Sequence, residues 1–151
     1  MEPEEVFLAV AHGVSNREYD DLHELYGEQT DVRHPMNPFG DKPLLSREAL
    51  REHFASAAAL VGDVVRFEPV NIRIHHTTDP EVIVAEFEYA GTVAATGVPF
   101  SVPGIFVLRV RDGLIVESRD YIDHVAMMRA RGQVERLIDV LREPLGVPAA
   151  S

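Results

Sequence analysis

The second half of the chain contains four long strand-like segments, and these constrain the fold more than any other feature. Their predicted spans are 65–76, 82–95, 100–111 and 114–122. Asp112-Gly113, between the last two, is a strong β-hairpin signal because both residue types tolerate positive φ. Strands joined by short turns pair antiparallel, so an antiparallel meander is predicted, with Gly91 marking a bulge or a kink in its second strand.

The beginning of the chain has helical periodicity. Residues from about 3 to 26 are predicted to form two helical pieces, which are broken at Ser15-Asn16. A short strand is predicted at 31–34. The next nine residues, 35–43, include three prolines, which exclude a continuous helix or a central strand and therefore predict a loop.

Two more helices are predicted. Ser46 is the expected N-cap of the first of them. The inward-facing candidates of that helix, spaced three or four residues apart, are Leu50, His53, Phe54, Ala57 and Val61. The second helix is predicted at about 133–142, before a short flexible tail. Its shared apolar face carries Leu137, Ile138 and Leu141.

The order of these elements, helices first and long strands afterwards, predicts the α+β class. The N-terminal helices are expected to pack on a strongly curved, mostly antiparallel sheet and so to form a conical α+β barrel. A chain of 151 residues suits one such domain, predicted over 1–151. A cone of this kind encloses a cavity that suits a small hydrophobic metabolite with a few polar groups.

Composition excludes several classes of function. Fourteen basic and 25 acidic residues give a net charge of -11, which argues against binding to nucleic acid or to anionic membranes. No cysteine is present, so disulfides and thiolate catalysis are excluded. No metal-ligand spacing or phosphate-binding loop occurs, so no metal and no cofactor are predicted. The acidic N-terminus does not resemble a secretory signal, and a cytoplasmic location is expected.

Strand alternation directs one carboxylate inward. In the last predicted strand, one face carries Val116, Ser118, Asp120 and Ile122; the matching face of its hairpin partner carries Phe106, Leu108 and Val110. These mostly apolar faces are expected to meet the helices. Asp120 must then be paired, hydrogen-bonded or raised in pKa, which is how a general acid or base arises. Alternatively, Asp120 is structural and caps a turn or pairs with an arginine.

Two histidines are candidates for the same interior. His53 lies on the apolar face of its predicted helix, where a structural core histidine is the alternative. His34 shares the parity of Val32, and the alternative there is a hydrogen bond at the edge of the loop. Together with Asp120 they form the predicted catalytic set. The predicted ligand-contacting residues are Tyr19, Phe54, Ala57, Phe87, Phe106 and Ser118.

The chain resembles the SnoaL-like, nuclear-transport-factor-2-like superfamily, which has a ketosteroid-isomerase-like fold. The resemblance rests on three segments: 19–26, 46–50, and 107–115 running into Arg119-Asp120-Tyr121. It covers nearly the whole chain, but the motifs do not specify one reaction. It implies helices followed by a curved sheet around a cone, and a symmetric homodimer that pairs through the outer sheet face.

Several enzyme groups of the superfamily have functional residues that this chain matches only in part. The ketosteroid isomerases imply a base at His34, before Pro35, but their oxyanion-hole donors would fall at Val10 and Phe106, which donate nothing. The polyketide cyclases imply a functional aspartate at Asp120, while their second functional residue, a histidine, aligns with Phe106. The Asp-Arg-Asp set of the limonene-epoxide-hydrolase-like enzymes does not assemble on one face.

The phenazine-biosynthesis A/B proteins are the most similar. Their Glu-His pair is matched by Glu52-His53 and their Asp-Pro turn by Asp79-Pro80. Their last strand carries a glutamate where Asp120 stands, and their serine one turn after the histidine is replaced by Ala57. The replaced serine argues against a phenazine precursor as the substrate, but a histidine and an acid still face one cavity.

Three functions fit these features. The first is a cofactor-independent enzyme that moves protons on a hydrophobic carbonyl or aromatic metabolite, by isomerisation, cyclisation or condensation, in secondary metabolism. The second is a non-catalytic carrier of a small apolar molecule. The third is a protein-interaction module that uses the outer sheet face. The sequence does not separate them.

Overall fold

The computed structural model describes residues 1–61 and 64–145, except for the side chains of Leu60 and Val61. The described residues form four α-helices: α1 (Pro3–Ser15), α2 (Arg47–Val61), α3 (His124–Ala130) and α4 (Val134–Leu141). The strands are β1 (Tyr26–Arg33), β2 (Leu44–Ser46), β3 (Val65–His76), β4 (Val82–Val93), β5 (Pro99–Arg111) and β6 (Leu114–Ile122). No helix in the described ranges is long and apolar enough to cross a membrane.

The six strands form one open mixed sheet in the order β2-β1-β6-β5-β4-β3. Only the β1–β6 pair is parallel, with Val32 opposite Ser118 and Arg33 opposite Arg119. The remaining neighbours are antiparallel. The predicted α+β class and the mostly antiparallel, cone-like sheet are confirmed.

Helix α1 lies against the concave face of the sheet. Its residue Phe7 is fully buried and meets the rings of Phe87 and Phe106 edge-on, with centroids 5.3 and 5.8 Å away. Such edge-to-face pairs add to the stabilisation from apolar burial. This aromatic cluster joins α1 to strands β4 and β5.

The hairpin signal and two strand predictions are confirmed. Strands β3 and β6 have the predicted bounds. Asp112 and Gly113 adopt φ values of 53° and 76° between β5 and β6, as a two-residue hairpin of this type requires. Prediction of the second helical piece was wrong at its end: it is a single 3-10 turn, Leu22–Leu25, and Tyr26 already begins β1. Pairing with β6 overrides the local helical spacing.

Two details of the strand predictions were wrong. The pairing register of β5 with β6 shifts between Arg109 and Val110. As a result Ile115 is buried, and Val116 is only partly buried. Alternation alone cannot detect such a bulge, because one extra residue reverses the parity on one side of it. The second detail is Gly91, which pairs in regular register with Phe67 and Phe100 and forms no bulge.

The C-terminal helices differ from the prediction. Helix α3 was not predicted, and α4 is two residues shorter than predicted. Leu137 is buried, but Leu141 is 68% exposed and does not join the apolar face. The side chain of Val61 and residues 146–151 of the tail predicted after 142 lie outside the described residues, so those two predictions stay predictions.

Ser46 caps α2 as predicted. Its Oγ accepts a hydrogen bond of 3.0 Å from the backbone N–H of Ala49. We expect Ser46→Ala to lower the free energy of unfolding by about 1 kcal/mol, because one N–H in the first turn loses its partner. Urea denaturation measures this, with Ser56→Ala, an exposed position in the middle of the same helix, as the control. Equal effects of the two variants would contradict the capping role.

Candidate functional site

A cavity of about 460 Å³ lies between the concave sheet face and the helices. This volume is within the usual range for small-molecule sites. Most of its wall is apolar or aromatic. The polar and charged lining residues are His34, Asn37, His53, Ser56, Asp120, His124, Arg131, Gln133 and Arg136, and the tyrosines are Tyr19, Tyr26 and Tyr89.

Asp120 is the buried carboxylate of the cavity. Its residue surface is 6% exposed, and one carboxylate oxygen accepts a short hydrogen bond from the Ser118 hydroxyl. Burial raises the pKa of Asp120 to about 7, while the hydrogen bond from Ser118 and the charge of Arg119 act in the opposite direction. Asp120 can therefore gain or lose a proton near neutral pH.

His34 is the nearest titratable partner of Asp120. Its Nε2 lies 3.4 Å from the second carboxylate oxygen of Asp120. The parallel register places them together: Val32 and Arg33 pair with Ser118 and Arg119, and the next inward positions are His34 and Asp120. Burial lowers the pKa of His34, so the low-dielectric interior disfavours the charged forms of both residues.

The backbone after β1 is held in place on the loop side. Asp41 accepts a hydrogen bond of 2.8 Å from the backbone N–H of His34, and the His34 carbonyl accepts one of 3.0 Å from Asn37. The negative charge of Asp41 also favours the protonated form of His34, against the effect of burial. The predicted loop at 35–43 thus orients His34 toward Asp120.

His53 projects from α2 into the mouth of the cavity. Its ring stacks on His34, with centroids 5.3 Å apart and planes inclined by 27°. The residue is exposed and lines the cavity. Desolvation and the neighbouring His34 lower the pKa of His53 to about 4, so it is neutral at pH 7. A neutral ring here can donate or accept a hydrogen bond.

The predicted ligand-contacting residues divide into two groups. Tyr19, Phe54, Ala57 and Phe106 line the cavity. Phe87 lies behind this wall, with its ring 5.1 Å from that of Phe106. Ser118 is buried beneath Asp120, where its hydroxyl hydrogen-bonds the carboxylate. Phe87 and Ser118 therefore contact lining residues from behind and do not line the cavity themselves.

Sequence reasoning missed the wall formed by α3 and the turn after it. His124 and Arg131 both line the cavity, and no described group is a hydrogen-bond partner of the buried His124 Nε2 or Arg131 Nε. Asp123 caps α3 by accepting a hydrogen bond of 2.9 Å from the Ala126 N–H. An Asp preceding a short apolar run is a helix-start signal that could have located this wall.

Known proteins share parts of this sequence. A PhzA/B-like protein of Pseudomonas aeruginosa is 31% identical over 78 residues, which is 52% of this chain and 54% of that protein. The YesE protein of Bacillus subtilis is 36% identical over 59 residues, 39% of this chain and 40% of YesE. The chain thus spans about half the length of the curated relatives it matches.

Solved structures share the fold over most of the chain. A candidate isomerase of Bacillus subtilis superposes with a TM-score of 0.73 at 22% identity, over 87% of this chain and 93% of that one. IdmH, a candidate polyketide cyclase of Streptomyces antibioticus, gives a TM-score of 0.64 at 23% identity, over 87% and 99%. At these identities the similarity shows the fold.

The family is shown by a sequence match of greater extent. The profile of the SnoaL-like domain matches residues 7–118, about three-quarters of the chain. The match runs from α1 to Ser118, the hydroxyl donor to Asp120. The resemblance to the nuclear-transport-factor-2-like superfamily is confirmed, with phenazine-biosynthesis-like relatives. This chain belongs to the SnoaL-like domain family.

Proposed function

We propose that the protein catalyses cofactor-independent proton transfer on a small hydrophobic carbonyl or aromatic metabolite, as an isomerase, cyclase or condensation-assisting enzyme. The observation that carries this proposal is the position of Asp120. It is a buried carboxylate that faces an apolar cavity of small-molecule size and lies 3.4 Å from a histidine. Residues of this kind perform general acid–base catalysis.

Asp120 is the proposed base and His34 its proton partner. A substrate C–H proton passes to the Asp120 carboxylate, and the electron pair of the broken bond becomes an enolate. The same proton, directly from Asp120 or relayed through His34, then returns to a different carbon or oxygen of the substrate, and Asp120 and His34 regain their starting protonation states. Burial brings the pKa of Asp120 toward neutrality, which makes both directions of transfer accessible.

His53 is the proposed orienting residue. It stacks on His34 at the mouth and is neutral at pH 7, so it can donate a hydrogen bond to a substrate oxygen. Tyr19, Phe54, Ala57 and Phe106 supply the apolar surface on which the substrate packs. Phe106 and Val10 carry no donors, so steroid isomerisation through a two-donor oxyanion hole is not the proposed reaction.

The experiment is deuterium incorporation from D₂O into weakly acidic ketones. Aromatic ketones such as 1-indanone and 2-tetralone exchange their α-protons slowly without a catalyst. Mass spectrometry measures their labelling with wild-type protein, Asp120→Asn and Asp20→Asn, where Asp20 is an exposed loop aspartate. The proposal is supported if wild type and Asp20→Asn both accelerate labelling and Asp120→Asn does not. Wild-type protein that binds these ketones without labelling them supports a carrier instead.

A homodimer through the outer sheet face is part of the proposal. Ile105 and Tyr121, neighbours on β5 and β6, are 40% and 41% exposed there. A second copy would cover this apolar surface. Light scattering at micromolar concentration is expected to give twice the monomer mass, and Ile105→Arg is expected to reduce it to the monomer mass. A wild-type monomer under these conditions contradicts the prediction.

A further inference from the structure

Arg131 is a cation with no described anion beside it. It follows α3 and lines the cavity, and no described carboxylate forms an ion pair with it. Its Nε atom is buried, and no described group accepts a hydrogen bond from it. A partly buried guanidinium without an acceptor is costly, and the cost is reflected in the lowered pKa of Arg131, which desolvation causes.

The surroundings of Arg131 make this arrangement unusual. The chain has 25 acidic and 14 basic residues, yet among the described residues that line the cavity Asp120 is the only carboxylate. Arg109 and Arg111, in contrast, have carboxylate partners: Arg109 binds Asp79 at 2.8 Å, and Arg111 binds Glu81 at 2.9 Å. Arg136, at the same end of the cavity, lies over the Phe39 ring at 4.3 Å.

His124 adds a second unpaired donor at this end. Its Nε2 is buried and has no described partner. Desolvation, His34 and Arg131 all lower the pKa of His124, to about 4, so its ring is neutral at pH 7 and can donate one N–H. A guanidinium and an imidazole N–H facing one cavity suit a carboxylate, which accepts up to two hydrogen bonds on each oxygen.

The polar groups follow an order along the cavity wall. Asp120 contacts His34, and the His34 ring lies 6.4 Å from that of His124. The charge of Arg131 acts on His124 and on Tyr19. Asp120 thus stands at one end of this series of neighbouring groups, and Arg131 is near His124 at the other end.

From this arrangement we infer that the ligand is an amphipathic carboxylic acid, whose carboxylate binds Arg131 and His124 while its reacting end faces Asp120 and His34. The inference rests on the proposed function for the role of the reacting end. The binding of the carboxylate does not depend on catalysis. Arg136, the other arginine of the cavity lining, lies over the Phe39 ring, so Arg131 with one neutral donor matches a monoanion better than a phosphate, which carries more charge.

The test is a calorimetric titration with probes that share one ring system. 2-Naphthoic acid and 2-naphthamide have nearly the same shape, but only the acid is charged at pH 7, and 2-naphthyl phosphate supplies the competing anion. Wild-type protein is expected to bind the acid at least tenfold more tightly than the amide and the phosphate. Arg131→Gln is expected to reduce acid binding by about tenfold to hundredfold and to change amide binding less than about twofold.

The matched control is Arg129→Gln. Arg129 lies on α3, two residues before Arg131, is exposed, and does not line the cavity. It carries the same charge, so Arg129→Gln is expected to keep the preference for the acid. If both variants lost the same affinity for the acid, the preference would come from the long-range effect of positive charge, and the inference would be overturned. Three other results for wild-type protein would also overturn the inference. These are equal binding of the acid and the amide, tighter binding of the phosphate than of the acid, and no binding of either 2-naphthoate or the smaller benzoate.

This titration separates the two proposals because it measures no turnover. A lost preference for the acid in Arg131→Gln supports the carboxylate site even if deuterium labelling is absent. Labelling that depends on Asp120, without any preference for the acid, leaves the proposed proton transfer intact and removes only the carboxylate site.

Discussion

Replacing Asp120 with asparagine is expected to reduce deuterium labelling of a ketone by a factor of about 10² to 10⁴ while stabilising the protein above pH 7. The loss of rate follows because an amide cannot accept the substrate proton, and a positioned acid–base group contributes about this factor. Asn keeps the shape of the protonated acid. Its Oδ1 can still accept the Ser118 hydrogen bond, and its Nδ2 can donate toward His34.

The gain in stability follows from the direction of the pKa shift. The pKa of Asp120 is about 7 in the folded state and near 3.8 in the unfolded chain. Between these values the folded state binds more protons, so the stability contributed by Asp120 is fully present below about pH 4 and is lost as the pH rises to about 7. Asn carries no charge and removes this loss, which amounts to roughly 2–4 kcal/mol above pH 7.

Urea denaturation at about pH 4 and pH 8 measures the effect, with circular dichroism as the signal. Asp120→Asn and wild type are expected to differ little at the lower pH, and the variant is expected to be more stable at the higher pH. Asp20→Asn, at an exposed loop position, is expected to follow wild type at both. An Asp120→Asn protein that fails to fold would show that Asp120 is structural, and would contradict both parts of the prediction.

Gly91→Ala is expected to lower the free energy of unfolding by more than about 4 kcal/mol or to prevent folding. A Cβ at this position would lie 1.7 Å from the carbonyl oxygen of Arg66 and 2.6 Å from the Cα of Phe67. Both atoms belong to the backbone of β3, so relief requires that β3 and β4 move apart. Costs of this size are exceptional for single substitutions and arise from backbone conflicts of this kind.

Gly104→Ala is the matched control in the adjacent strand β5. Its Cβ would lie 3.4 Å from the Phe87 ring, an ordinary contact with a side chain. We expect the free energy of unfolding to change by less than about 1 kcal/mol there, because alanine lowers the conformational entropy of the unfolded chain and this partly offsets the new contact. Thermal unfolding compares the two variants. Similar melting temperatures for both would mean that the sheet adjusts freely at Gly91, against the expectation.

Gly91 also connects stability to the cavity. It lies opposite Phe67 on β3, and Phe67 and the nearby Tyr89 both line the cavity, with ring centroids 4.8 Å apart. The close approach of the two strands therefore sets the position of this part of the wall. From the sequence, Gly91 indicated only a bulge or a kink, because nothing local shows that another backbone passes within contact distance.

The sequence by itself determined the architecture and the identity of the buried acid. Strand lengths, the Asp112-Gly113 hairpin and the order of helices and strands predicted the α+β sheet, because these are local properties of spacing and backbone preference. Alternation placed Ser118 and Asp120 inward, because the period of two is intrinsic to a strand. The bulge beside Val116 lies where that period is broken, and there the prediction was wrong.

Only the tertiary structure decided what surrounds Asp120. His34 reaches it because β1 pairs parallel with β6, and residues so distant in sequence meet only through that pairing. Helix α3 and the turn after it bring His124 and Arg131 to the cavity, where their buried donors lack described partners. The pKa near 7 of Asp120 and the lowered pKa of Arg131 both arise from desolvation. Desolvation depends on which groups pack around a site from every element, and local sequence does not contain that information.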